Sequence, residues 1–153
     1  MPIVSVNGMR QGFFRDAKSE LRRRCLLVEA LGLEEPDDHA QCVRALCVFQ
    51  LQHHGPFVVD IPPAVEAGLF GTLLDAWQVP LADVGPEGED KGKSGKYLLL
   101  PPEFKGNPPA GYIVVRPHTY KGYILLRAIP KGSSEVDVSN AIALVKNCDC
   151  ASI

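Results

Sequence analysis

The sequence predicts an α+β fold that is mainly antiparallel β, a sandwich or half-barrel, with an N-terminal helical segment and a C-terminal helix. Three observations lead to this prediction. Short apolar runs follow Gly55-Pro56 and most of them end at Gly or Pro turn residues. Residues 16–54 are instead rich in Leu, Ala, Glu and Arg, which favour helix. Ser134 and Asp137 form a capping-box pattern ahead of a last apolar stripe at helical spacing.

The helical segment is predicted as a hairpin of two helices before Gly55. Gly32 and the run Glu35-Pro36-Asp37-Asp38 separate the helices, and Asp37 or Asp38 would cap the second one. Each helix has apolar residues at i, i+3 and i+4, namely Leu27, Ala30 and Leu31 in the first and Val43, Leu46 and Cys47 in the second.

Five runs after Gly55 are predicted as strands, although the second is also compatible with helix: residues 57–61, 71–79, 96–100, 112–116 and 123–129. The last two are expected to pair antiparallel through the loop that contains Lys121-Gly122. Alternation within the strands assigns eight side chains to the interior: Phe57, Val59, Leu98, Leu100, Ile113, Val115, Ile124 and Leu126. A closing helix would bury Val138, Ala141, Ile142 and Val145.

Composition and charge describe an ordinary globular chain and exclude several functions. Its 153 residues suit one domain that buries about 70% of its unfolded surface. A net charge of −2 gives no basis for binding nucleic acid or an anionic membrane. No run approaches the roughly 20 apolar residues of a spanning helix, so no membrane insertion is expected. The N-terminus lacks the order of a signal peptide, so the chain as written is expected in the cytoplasm.

The sequence of residues 83–130 resembles the domain-of-unknown-function family numbered 1254, most clearly in GEDKGKSGKYLLLPPEFK at 88–105. The resemblance covers residues 1–16 and 55–146. It implies a bacterial protein of a family that is often exported and whose longer members continue into a second uncharacterised domain. Residues 1–153 are therefore expected to be a single domain or a fragment.

Two segments, 18–54 and 147–153, depart from that resemblance. If suitable codons encode these segments, a one-base shift of the reading frame converts both into sequences that resemble the family. We therefore interpret the two segments as the result of a frameshift; the alternative is a natural divergent helical insertion. The chain then divides into a family-like segment (1–17), an atypical helical segment (18–54), a β-rich core (55–146) and an atypical tail (147–153). A missing family strand would leave a sheet edge open to self-association.

All five cysteines lie in the two departing segments. The pair Cys148-x-Cys150 lacks the two-residue spacing of structural zinc sites, and Cys42-x4-Cys47 has no matching second pair. The sequence thus predicts free cysteines, no metal site and no cofactor.

A lysine-rich turn is one candidate binding site. Lys91, Lys93 and Lys96 could surround an anionic ligand, and the alternative is a solvated flexible loop. Gly92-Lys93-Ser94 is not a phosphate loop, because Glu87 stands where that motif requires glycine and a strand follows.

A second candidate centres on Asp75 and Trp77, which would share one face of a strand and suit a sugar or small polar ligand. The alternative places Trp77 in the core and lets Asp75 bond backbone amides in a turn. Arg127 lies in an apolar run and needs a partner, for which Asp75 is the candidate. Its role could equally be structural or functional.

These residues predict a β-sandwich module that binds a small polar or anionic ligand or is structural. The ligand-binding candidates are Trp77, Lys91, Lys93, Tyr97, Arg116, Tyr120 and Arg127. The alternative is a hydrolase for a small ester, lactone or saccharide, with Asp75 and either His118 or Lys96 as acid and base. No Gly-x-Ser-x-Gly motif is present, and His118 is expected at the surface.

Overall fold

A computed structural model describes residues 42–152, which form eight strands and two helices. In chain order they are β1 (Val43–Gln50), α1 (Leu51–His54), β2 (Phe57–Ile61), β3 (Ala67–Asp75), β4 (Pro80–Val84), β5 (Gly95–Leu99), β6 (Ile113–Val115), β7 (Lys121–Pro130), α2 (Glu135–Lys146) and β8 (Asp149–Ser152). Sheet A has the order β1-β7-β3-β4, and sheet B has the order β6-β5-β2-β8. All neighbouring strands are antiparallel except β5 and β6.

One hydrophobic core lies between the two sheets, because alternate residues of each strand point towards it. Of the eight side chains predicted inside, Val59, Leu98, Leu100, Val115, Ile124 and Leu126 are buried. The other two, Phe57 and Ile113, are partly buried against the core. Residues 55–146, predicted as the β-rich part, supply six of the eight strands, and β1 and β8 come from outside that range.

Helix α2 begins where the capping pattern predicts. The Ser134 side chain accepts a hydrogen bond from the Asp137 N–H at 3.1 Å, and its hydroxyl donates to the Asp137 carboxylate at 2.6 Å. Ala141, Leu144 and Val145 are buried in the core that the sheets form. The C-terminal helix is therefore confirmed.

The prediction of an N-terminal helical segment is wrong for the residues of that segment that the structure describes. Residues Val43–Gln50 form a strand, and only Leu51–His54 is helical; the rest of the segment, 18–41, lies outside the described residues. Strand β1 buries Val43, Ala45, Cys47 and Phe49 at period two, and every one of its residues is aligned with a residue of β7. Leu46 is also buried, in a small cluster with Tyr123. Because β1 buries residues on both faces, its apolar residues fit the spacing of a helix as well as that of a strand. Pairing with β7 makes the segment a strand.

The prediction that the fourth and fifth predicted strands, residues 112–116 and 123–129, pair as a hairpin is also wrong. Strand β6 pairs in parallel with β5 in sheet B, whereas β7 lies between β1 and β3 in sheet A. Residues 116–120 therefore cross from one sheet to the other. The second predicted strand is confirmed but begins and ends earlier, at Ala67 and Asp75.

Three of the cysteines, Cys42, Cys47 and Cys148, are free, but Cys150 forms a disulfide bond, so the prediction of free cysteines fails at that position. Among residues 42–152, no helix is long and apolar enough to cross a membrane.

Candidate functional site

A tight turn presents the single tryptophan of the chain to solvent. Asp75 ends β3 with its side chain only 1% exposed, and its Oδ1 accepts the N–H groups of Trp77 at 2.8 Å and Val79 at 3.0 Å. Gln78 has a φ of 65°, in the left-handed region that such a turn requires. The indole is 60% exposed. Asp75 therefore bonds backbone amides in a turn, as the alternative predicted, but the other part of that alternative, Trp77 in the core, is wrong.

Loop 116–120 is bonded to this turn and to helix α1. The Ala76 N–H donates to Thr119 Oγ1 at 3.0 Å, and the Thr119 hydroxyl donates to the Lys121 carbonyl at 2.7 Å. The Leu51 N–H donates to the Tyr120 carbonyl at 2.7 Å. We call the surface formed by residues 51–56, 75–79, 100–105 and 116–121 the Trp77 end.

Close backbone contact holds the Trp77 end together at Gly122. A Cβ there would overlap the Leu74 carbonyl oxygen and the Phe49 ring. The absence of a side chain thus lets β7 start directly against β3. Loop 116–120 consequently has a defined position relative to the Trp77 turn.

Arg116, His118 and Tyr120 bring polar groups to the Trp77 end. Arg116 is exposed, and its Nη1 donates to the Phe104 carbonyl at 3.2 Å. Tyr120 is partly buried; desolvation and the neighbouring Glu103 carboxylate raise its pKa. His118 is exposed, as predicted.

The Gln50 side chain has a buried oxygen that accepts no hydrogen bond from the described residues. This atom is Oε1, and the Gln50 backbone pairs with Lys121. A buried acceptor left unpaired costs about 1–3 kcal/mol. Gln50, which directly precedes the Trp77 end, therefore offers one acceptor that a ligand donor or a water could satisfy.

The lysine loop, residues 85–94, lies at the opposite end of the sheets and is rigidly anchored. Asp90 is 7% exposed and accepts the Gly85 N–H at 2.8 Å. The Tyr97 hydroxyl donates to the Asp83 carbonyl at 2.7 Å and lies 3.1 Å from Asp90 Oδ1. Burial, followed by the charge of Asp90, raises the pKa of Tyr97. Tyr97 is thus a core residue that fixes this loop, and no ligand at the surface reaches it.

The lysines themselves are exposed. Lys96 Nζ lies 3.2 Å from Asp60 Oδ2, in an ion pair whose side chains are about half exposed, and such pairs contribute about 0–1 kcal/mol. Lys91 has a φ of 52°, and Glu87 and Glu89 share the surface of the loop. The lysine loop therefore mixes both signs of charge.

Arg127 is exposed on the outer face of sheet A, aligned with Arg44 of β1 and Phe70 of β3. Asp75 is aligned with Gly122, five residues along β7, and its carboxylate bonds backbone amides instead. The predicted burial of Arg127 and its predicted pairing with Asp75 are both wrong, because alternation placed Arg127 on the solvent face.

The structure therefore divides the predicted site residues among three places. Asp75, Trp77, Arg116, His118 and Tyr120 belong to the Trp77 end. Lys91, Lys93, Lys96 and Tyr97 belong to the lysine loop or its anchor, and Arg127 lies on sheet A. Sequence reasoning missed Gln50, Glu103 and Thr119. Only Thr119 carried a signal, as a hydroxyl residue in a predicted loop.

The described residues show where the candidate metal-binding, nucleophilic, acid and base groups lie. Residues 42–152 contain no group of three or more His, Cys, Asp or Glu that could hold a metal. Burial, with smaller contributions from Asp149 and Asp60, raises the pKa of Cys47 and of Cys148 to about 12, so neither thiol is an available nucleophile at neutral pH. Asp75 is sequestered by backbone amides, and Lys96 lies at the other end of the sheets. Of the two candidate partners of Asp75, only His118 shares the Trp77 end with it, and the Asp75 carboxylate is occupied by backbone amides.

Comparisons with known proteins give a family and a fold. Residues 39–151 match the family described as "Protein of unknown function (DUF1254)". The match includes residues 39–54 and 147–151, which sequence analysis had placed outside the resemblance, and does not extend to residues 1–16. The frameshift stays a prediction that the sequence of the encoding DNA tests. No curated protein matches.

One similar solved structure is the crystal structure of the VPA0106 protein from Vibrio parahaemolyticus, with 13% sequence identity and a TM-score of 0.69. The similarity covers 99% of this chain but 36% of that chain. The present chain thus spans about a third of the solved one, and at this identity the likeness establishes the fold.

Proposed function

We propose, from the premise that this chain belongs to the DUF1254 family of proteins of unknown function, that it is a β-sandwich binding module whose ligand contacts Trp77. The observation that carries the proposal is an indole 60% exposed on a turn fixed by two hydrogen bonds to a buried carboxylate. Tryptophan offers a large apolar face with a polar N–H and loses little side-chain entropy on binding. Loops on a rigid sheet scaffold are common positions for binding residues.

The surroundings of Trp77 support a small polar ligand. Thr119, Tyr120 and Arg116 are held by the hydrogen bonds of the Trp77 end. Pre-positioned groups lower the entropy that binding costs. The hydrolase alternative lacks a free acid at this site, because the Asp75 carboxylate is buried and accepts two backbone amides.

The single tryptophan makes the test direct. An exposed indole emits at long wavelength, so a ligand that stacks on it should shift the emission to shorter wavelength or quench it in a saturable way. The titration would use a panel of monosaccharides, small carboxylates, inorganic phosphate and amides. Calorimetry would measure the same affinities independently of fluorescence.

The Trp77→Ala variant should lose at least about tenfold in affinity by calorimetry, since an aromatic anchor contributes about 2 kcal/mol or more. Phe70→Ala, which removes an exposed aromatic ring from sheet A, is the matched control and should bind normally. Equal losses in both variants, or no ligand that perturbs Trp77, would reject the proposal.

A further inference from the structure

We infer that the ligand of the Trp77 end is an organic anion, a carboxylate with an apolar or ring-shaped body that stacks on Trp77. This inference rests on the proposed binding function and adds the chemical class of the ligand. It follows from the way charge is distributed between the Trp77 end and the rest of the molecule.

Cations outnumber available anions at the Trp77 end. Its segments contain Lys105, Arg116 and Lys121 but only two carboxylates, Asp75 and Glu103. All three histidines of the described residues also lie there: His53, His54 and His118. Counting Lys and Arg against Asp and Glu, the segments carry +1; the chain carries −2, so all other residues together carry −3.

Neither carboxylate forms an ion pair with those cations. Asp75 is buried and accepts two backbone amides. Glu103 is exposed beside Tyr120, so one carboxylate charge stands against three cationic side chains at this surface. Neither of the ion pairs found among residues 42–152 involves Arg116, Lys105 or Lys121. The cationic groups of the Trp77 end thus lack an anionic partner in the part of the chain that the structure describes.

Arg116 is the group best placed to bind the anion. Its Nη1 is 3.2 Å from the Phe104 carbonyl oxygen, which fixes one side of the guanidinium and leaves other N–H donors facing solvent. A guanidinium matches a carboxylate with two parallel hydrogen bonds. Loop 116–120 is bonded through Thr119 to the turn that carries Trp77, so the proposal requires a ligand that reaches from the indole to the guanidinium.

The experiment compares isosteric pairs that differ in charge: benzoate with benzamide, and glucuronate with glucuronamide. Trp77 emission and calorimetry would report binding. We expect the carboxylate of at least one pair to bind about tenfold more tightly than its amide, because hydrogen bonds that involve charge are about 1.4 kcal/mol stronger than neutral ones. Raising the salt concentration should weaken the binding of that carboxylate and leave the binding of its amide unchanged.

Arg116→Gln should remove the tenfold preference, whereas the matched variant Arg127→Gln, which removes an exposed arginine from sheet A, should keep it. Arg116→Lys, which retains the charge, should restore part of the preference even if the glutamine variant folds poorly. Amides that bind as tightly as carboxylates, or equal effects of Arg116→Gln and Arg127→Gln, would overturn the anion assignment and leave the binding module standing. If no compound of either charge perturbed Trp77, both proposals would fall.

Discussion

The Asp75 carboxylate accepts the N–H groups of Trp77 and Val79 and is almost fully withdrawn from solvent. In the sequence it had two interpretations, a ligand-facing acid and a turn residue. Spacing alone does not separate them, because the difference depends on which neighbours the side chain meets. Arg127 is similar: its apolar neighbours predicted burial, and its position on the outer face of sheet A leaves it exposed.

We expect Asp75→Ala to lower the free energy of unfolding by about 2–4 kcal/mol, because two partly buried amides lose a charged acceptor. Asp75→Asn keeps an oxygen at the same position and should lose about half as much. Chemical denaturation followed by circular dichroism measures both values. The control is Asp83→Ala. The exposed Asp83 carboxylate accepts one side-chain hydrogen bond, from the Thr72 hydroxyl at 2.8 Å, so its loss should lower the free energy of unfolding by less than about 1 kcal/mol. Equal losses in the Ala and Asn variants of Asp75 would contradict the acceptor role.

At the level of elements, β1 and β6 are the instructive cases. Both were mispredicted, β1 as helix and β6 as the hairpin partner of β7, whereas strands β2, β3 and β5 and helix α2 agree with the predictions. The correct elements are bounded by local signals: proline breakers, glycine turns and the Ser134 cap. The identity of β1 depends on pairing with β7, 71 to 85 residues away, and β6 pairs with β5, 16 residues before it, instead of with β7, the next strand in the chain.

Strand β1 gives a direct test of this account. The amides of Val43–Gln50 that point towards β7 should exchange with solvent as slowly as those of β7 itself, because they are bonded to a central strand and flanked by buried side chains. Hydrogen exchange measured by NMR would resolve individual amides. The exposed helix-end residues His53 and His54 should exchange fast and serve as the internal reference. Uniformly fast exchange over β1 would contradict its pairing with β7.

At the scale of the whole molecule, the two sheets bury thiols in the core that they share. Cys47 comes from β1, and Cys148 lies between α2 and β8; burial raises the pKa of each from 9.0 to about 12. Both thiols therefore keep their protons in the folded state at pH values where the unfolded chain loses them. Their contribution to stability is complete below the unfolded pKa and declines as the pH rises towards 12.

Between pH 9 and 10 we expect the free energy of unfolding to fall by up to about 1.4 kcal/mol per pH unit for each of these thiols. Urea denaturation at a series of pH values measures the slope. Cys47→Ala should reduce the slope by one such increment, whatever its effect on absolute stability. Cys148→Ala should reduce the slope by the second such increment, since the pKa of its thiol is shifted in the same direction. A flat profile in the parent protein would contradict the burial of the thiols.

Local patterns in the sequence predict five of the seven strands after Gly55, most of their interior residues, the cap of α2 and the surface position of His118, because turn chemistry, alternation and capping act over a few residues. The same patterns did not predict β4 or β8. Tertiary structure alone decided that Val43–Gln50 is a strand, that β6 joins sheet B and that Arg127 faces solvent. It also decided that Trp77, Arg116 and Tyr120 share one end of the molecule while the lysine loop lies at the other. These outcomes depend on pairing between distant segments, which the packing of one common core selects and which no local pattern contains.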